Sequence, residues 1–316
     1  MIQSTVTPFD EPADAALRDA LAQGNAMLRS LAPVMRHLLT GAQHAVFADE
    51  IIARVRGGVG DVARQLLDAV AEAGTGEHGN HDQAALDALF AALTDVPGFL
   101  GHVHALAVEW QLTERLQTRL GLDPTLPPLL QALLTSDDAP TSALAMNLLA
   151  AQARFTQSQR RMQLPLNELP ADLLHSALLV MRSLGKSEPQ AVAAETNVRA
   201  GYDESRTRIG LIARLVTTMQ SGAVAALSLT HAGVAMFVTA LGMASDQDRD
   251  VIVLSTAEDR PVRLALALRA AGREPEAIEE QLLTLHAEIP PPIDWRRVGA
   301  ERAAGLLAAP VPPAGA

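Results

Sequence analysis

Apolar residues recur at three- and four-residue spacing along most of the chain, and clusters of glycine and proline cut that pattern into about a dozen segments. The pattern predicts a succession of amphipathic helices. In the first half they fall at 12–39, 42–56, 61–73, 82–94 and 98–120. Gly57, Gly58 and Gly60 read as the break between the second and third, with Asp61 placed to cap the third. The stretch 74–81 (GTGEHGNH) reads as a loop, because three glycines within six residues do not sustain a helix.

Pro124, Pro127, Pro128 and Pro140 surround one short apolar turn at 129–134 and mark the expected boundary between halves. This gives an N-terminal helical region over 1–135, a C-terminal helical domain over 136–290 and a Pro/Ala-rich tail over 291–316. In the second half, helices are predicted at 140–163, 170–184 and 188–200, the second stopped by Gly185. Asp203 is read as the cap of a fourth, with Ile209, Ile212, Val216 and Met219 in a stripe. Short helices follow at 222–229 and 231–243. Ser245 is read as the cap of 246–254, Thr256 with Asp259 as a capping box for 257–271, and a last helix covers 275–287. The tail from Gly305 onward ends in PVPPAGA and is expected to be disordered at its tip. VIVL at 251–254 is the one stretch that competes as a strand, and it sits too close to helix caps. The fold class is all-α, a multi-helix bundle with room for two helical subdomains.

Composition agrees with this pattern. Aromatic residues are 3% of the chain against 48% hydrophobic, so alanine and leucine carry the apolar content, and these favour helix over strand. The absence of cysteine excludes disulfides, thiolate metal sites and cysteine nucleophiles. A net charge of -11 disfavours nucleic acid and anionic membrane as partners. The longest apolar run, 222–244, is interrupted by Ser228, Thr230, His231 and Thr239 and reads as buried helices rather than a membrane span. The first residues lack the apolar segment of a secretory signal, so a cytoplasmic location is expected.

Over about 143–276 the chain carries LLAAQARFTQSQRRMQLPLNELPADLLHSALLVMRS (148–183), RAGYDESRTR (199–208), LTHAGVAMFVTALGMASDQDRDVIVL (229–254) and PVRLALALRAAG (261–272). These segments resemble an uncharacterised alphaproteobacterial family of the sphingomonad type, the domain-of-unknown-function family numbered 2336. The resemblance implies a bacterial, helical, cytoplasmic protein and assigns no catalytic residue.

Several motifs fall short of the chemistry they suggest. Gly185-Lys186-Ser187 ends like a phosphate-binding loop, but Val180 stands where that loop needs glycine and a helix precedes it. Asp246, Asp248 and Asp250 alternate as in a calcium loop, yet Val251 and Ala257 occupy its glycine and bidentate-acid places. They read instead as acids at a helix start. His78 and His81, with Glu77 and Asp82, form the one histidine-rich loop, and it reads as solvated rather than as a metal site. His102 and His104 lie two apart and face different ways. No cofactor and no catalytic residue is assigned.

The strongest candidate site is a polar constellation. Arg154, Ser158 and Arg161 share one helical face, with Arg160 beside them, and His175, Tyr202, Arg206 and Arg208 follow among Glu168, Asp172, Asp203 and Glu204. Arginines clustered in an acidic protein are either paired internally or face an anionic partner. Arg154, Ser158, Arg161, His175 and Arg206 are the expected binding residues, and Asp172 is the expected partner of His175. The first functional reading is a non-enzymatic protein-interaction or regulatory protein that self-associates, as a homodimer for example, through Leu179 or the Ile209–Ile212–Val216 stripe. The second is a bundle that binds a small anionic ligand or a metal. A third, DNA binding through Arg199, Arg206, Arg208 and Arg214, is opposed by the net charge and by the lack of a helix-turn-helix spacing.

Overall fold

Four of the helices start on one short polar side chain. Asp82, Asp138, Thr207 and Asp248 each accept a backbone N–H of the first turn that follows them. The structure, a computed structural model, describes residues 11–40, 50–74, 81–185, 188–257, 261–286 and 295–308. Among these there is no strand, and the protein is all-α. The helices are α1 Glu11–Thr40, α2 Glu50–Gly74, α3 Gln83–Thr94, α4 Phe99–Leu120, α5 Pro128–Leu134, α6 Ala139–Arg160 and α7 Ala171–Leu184. They continue with α8 Glu188–Gly201, α9 Arg208–Thr218, α10 Leu229–Ser245, α11 Arg249–Ser255, α12 Val262–Ala270, α13 Pro275–Leu285 and α14 Ala300–Ala308. Turns of 3-10 helix occupy Leu166–Glu168, Glu204–Arg206, Gln220–Leu227 and Trp295–Arg297.

The chain divides into two units, Ala32–Ala240 and the combination of Met1–Leu31 with Leu241–Ala316. The expected boundary near 135 does not coincide with this division, because the proline-rich segment is tied into the larger unit. Gln152 donates to the Pro124 carbonyl (3.0 Å), and the Ser142 hydroxyl donates to that of Leu134 (2.7 Å). Pro127 lies so close to Gly233 that a Cβ there would sit 3.0 Å from its ring. Gly233 has φ +74°, in the region that favours glycine, and interrupts α10 at this approach.

In the larger unit α4 is buried nearly all round and packs against α2 and α3, while α6 lies against α5 and α9, and α8 against α2 and α7. In the other unit α12 is buried continuously from Val262 to Leu268, and it packs against α11, α13 and α14.

The glycine break expected at 57–60 is not a break. α2 runs straight through it, and the glycines permit close packing instead. A Cβ on Gly57 would lie 2.7 Å from the Met162 carbonyl oxygen, and one on Gly58 would lie 3.3 Å from Val103. Asp61 is accordingly no cap. It is buried mid-helix, where it accepts from Arg64 (2.6 Å), Gln65 (2.8 Å) and the Leu164 N–H (3.1 Å). Gln65 adds bonds to both Leu164 and Leu166, so α2 clamps the turn that follows α6.

Three smaller expectations also shift. Asp203 caps only the turn Glu204–Arg206, and Thr207 caps α9. Ser245 ends α10 with its hydroxyl on the Leu241 carbonyl, leaving Asp248 to cap α11. Thr256 closes α11, and α12 begins only at Val262; Asp259 lies outside the described residues. The tail expected over 291–316 contains α14, which includes Gly305, and its tip lies outside the described residues. No single helix among the described residues is long and apolar enough to cross a membrane. The apolar run 222–244 is divided between Gln220–Leu227 and α10, which are bent by 110° at their junction.

Candidate functional site

The anchor of the site is a buried ion triad. Arg208, the first residue of α9, is turned inward and fully buried. Its Nη1 donates to Oε1 of Glu109 on α4 (2.7 Å) and its Nε to Oε2 of Glu168 (2.8 Å). The guanidinium also stacks over the Phe155 ring of α6, 3.6 Å from the centroid. Burial opposes its charge, but Glu109 and Glu168 outweigh burial and hold the group above its ordinary value. His102 adds a bond from Nε2 to the Glu168 carbonyl (2.9 Å). The triad thereby fixes the Leu166–Glu168 turn and the start of α9 to α4 and α6.

Two clefts open beside that fixed point. The first, about 420 Å³, is lined by Asn147, Ala150 and Arg154 of α6, by Arg206, and by Leu211 and Arg214 of α9. All three arginines are exposed. Arg214 donates to the Ser205 carbonyl (3.3 Å), and among the described residues none of the three is paired with a carboxylate. Elsewhere arginines do find acids: Arg54 meets Glu50 and Glu114, Arg64 meets Asp61, and Arg182 and Arg199 both meet Glu195. The sequence explains the difference. No Asp or Glu occurs between Asp138 and Glu168 or between Glu204 and Asp246, so neither Arg154 nor Arg214 has an acid within its own helix to neutralise it. The result is a local positive field on a protein of net charge -11.

The second cleft, about 440 Å³, includes Leu166, Asn167, Asn197, Tyr202 and Asp203, and it shares Arg206 with the first. The Tyr202 hydroxyl donates to the Leu169 carbonyl (2.8 Å). Burial pushes this phenol up to about 12, and the charges of Glu204, Asp172, Asp203 and Glu168 add to the effect. The folded state therefore holds the proton more tightly than the unfolded chain, whose tyrosine titrates near ~10. The stability this contributes is complete below ~pH 10 and is lost as pH rises through about 12. Since the chain has one tyrosine, tyrosinate absorbance reads this group alone. A native midpoint near about 12 that falls to ~10 in denaturant is expected, and equal midpoints would contradict the buried hydroxyl.

Of the five expected binding residues, the fold brings Arg154 and Arg206 together in the first cleft. It leaves the other three outside. Arg161 is the C-terminal cap of α6, and the half-buried Ser158 offers its carbonyl to Arg161 and Gln163. His175 stands on α7 with its Nδ1 bonded to Arg199 Nη2, so its partner is Arg199 and not Asp172. That contact closes a surface chain from Arg182 through Glu195 to Arg199. Arg208 and Glu168 form the internal pairing that was the alternative for the constellation. Glu109 is absent from the sequence-based constellation, and its signal is a lone carboxylate within the apolar stretch HALAVEWQL.

Other expectations resolve locally. Ile212 and Val216 are buried, so their stripe builds the core and is no surface for self-association, whereas Leu179 is exposed. His81 is bonded to Asp68 (2.6 Å) and Asp82 caps α3, while Glu77 and His78 lie outside the described residues, as does Lys186. Among the described residues no group of three His, Asp or Glu side chains is arranged to hold a metal ion.

Fold and site together define an all-helical protein with an arginine-lined cleft. No protein-family model matches the chain, and no match is found among the curated proteins or the solved structures.

Proposed function

We propose that this chain is a cytoplasmic binding protein that captures an anionic group in the cleft between α6 and α9. The observation that supports the reading is the convergence of Arg154, Arg206 and Arg214 with no carboxylate paired to them among the described residues. Guanidinium groups offer planar pairs of donors that suit phosphate and carboxylate oxygens, and three of them around one cleft match a multiply charged group. The non-enzymatic regulatory role expected from the sequence is compatible with such a cleft, the captured group being the signal.

Titration with inorganic phosphate at low ionic strength, followed by calorimetry, tests the reading. Wild type is expected to bind and the Arg154→Ala/Arg214→Ala variant to lose binding at least about tenfold, each charge-assisted contact being worth about 1.5–3 kcal/mol. Because both side chains are exposed, the melting temperature is expected to hold within about 4 °C. Arg161→Ala serves as the control, since that arginine lies outside the cleft. Equal binding by wild type and the double variant would overturn the proposal.

A further inference from the structure

The shared wall between the two clefts says more about the ligand. Resting on the anion-binding reading above, we infer that the anion is the phosphate of a nucleotide, with its base lodged in the second cleft. Arg206 lines both clefts and so joins a cationic compartment to one that bears amides and the Asp203 carboxylate. A bare inorganic anion would need only the first compartment.

The second compartment has the chemistry of a base site. Asn167 and Asn197 are exposed carboxamides, and neither side chain is hydrogen-bonded within the described structure. A carboxamide presents a donor and an acceptor side by side, the pairing that matches the edge of a nucleobase. Asp203 adds a carboxylate, an acceptor for exocyclic amino groups. Leu166, Leu174 and Val198 supply apolar surface for a flat ring, and Tyr202 places a half-buried aromatic ring beside them. Gly201 leaves that wall without a side chain.

The walls are also held in place before any ligand arrives. Asn167 sits within the turn that Glu168 anchors to Arg208, and Arg206 lies two residues before Arg208. One buried triad thus fixes a base-side residue and a phosphate-side residue relative to each other, which limits the ordering cost of binding. Each cleft falls in the range of about 300–1,000 Å³ usual for small-molecule sites. A polymer fits less well, since a net charge of -11 opposes a long polyanion far more than one nucleotide.

The test measures calorimetric affinities for AMP, GMP, CMP and UMP beside ribose 5-phosphate and inorganic phosphate. At least one nucleotide is expected to bind on the order of tenfold or more tighter than ribose 5-phosphate, as one well-made base contact would give. Asn197→Ala and, separately, Asn167→Ala are expected to bring that nucleotide towards the ribose 5-phosphate level while inorganic phosphate is unaffected. Far-UV circular dichroism checks that each variant is folded. If ribose 5-phosphate equals all four nucleotides, or neither asparagine variant changes the preference, the nucleotide assignment fails and the anion site stands. If neither phosphate nor any phosphate ester binds, both fail together.

Discussion

Arg208→Met is expected to remove about 3–5 kcal/mol of folding stability, because it strands Glu109 and Glu168 in the interior without their cation. Urea denaturation measures the change through a lowered midpoint at unchanged slope. Three interactions vanish at once: the two ion pairs and the stacking over Phe155. Most of the cost lies in the carboxylates left behind, since a buried charge without a partner carries its full desolvation penalty. The triple variant Arg208→Met/Glu109→Gln/Glu168→Gln is therefore expected to recover much of the loss despite altering more residues. A loss under about 1 kcal/mol would mean that water reaches the carboxylates. Phosphate binding should weaken too, although Arg208 does not line the cleft, because Arg206, two residues before it, would lose its anchor.

Gly57→Ala is the second large effect expected, a destabilisation of about 1–3 kcal/mol from overpacking against Met162. The new Cβ would meet backbone, which cannot swing aside as a flexible side chain can. Met162 already has φ +54°, which leaves little latitude for its own adjustment. Gly60→Ala, one turn further along α2, has nothing within 4 Å of the added methyl and is expected to stabilise by roughly 0.5–1 kcal/mol through helix propensity. Thermal melts of the two variants should move in opposite directions. Matching shifts of either sign would show that the close approach at Gly57 is unimportant.

That contrast marks where the sequence was legible. Helices such as α3, α6, α7 and α13 lie close to their expected spans, because periodic leucines and local punctuation such as Pro140 and Gly185 are short-range signals. A glycine that ends a helix and one that admits a neighbouring backbone look identical in sequence. Only Met162, far along the chain, distinguishes them at position 57. The site divides in the same way. Arg154 and Arg206 stand out in sequence as cations in an acidic chain, whereas Arg214 belongs there only to the cluster of a DNA-binding reading. Arg161 would share a helical face with Arg154 in an unbroken helix, but α6 ends at Arg160, while Ser158, still within α6, is half-buried and does not line the cleft. Glu109 required knowledge that α4 is buried all around that position. The division into units was least legible, since it depends on contacts between distant parts of the chain.

One such contact is the hydrogen bond from Arg263 to the side chain of Asn25, which links residues 238 positions apart within one unit. Synthesis on the ribosome delivers Asn25 early and Arg263 late. The residues of α1 up to Leu31 must therefore wait, with Leu17 and Leu21 not yet enclosed, while the whole of the larger unit emerges. Closing so long a loop is slow relative to local helix formation. The larger unit, continuous in sequence, can assemble first, which makes the other unit a late step in the birth of the protein.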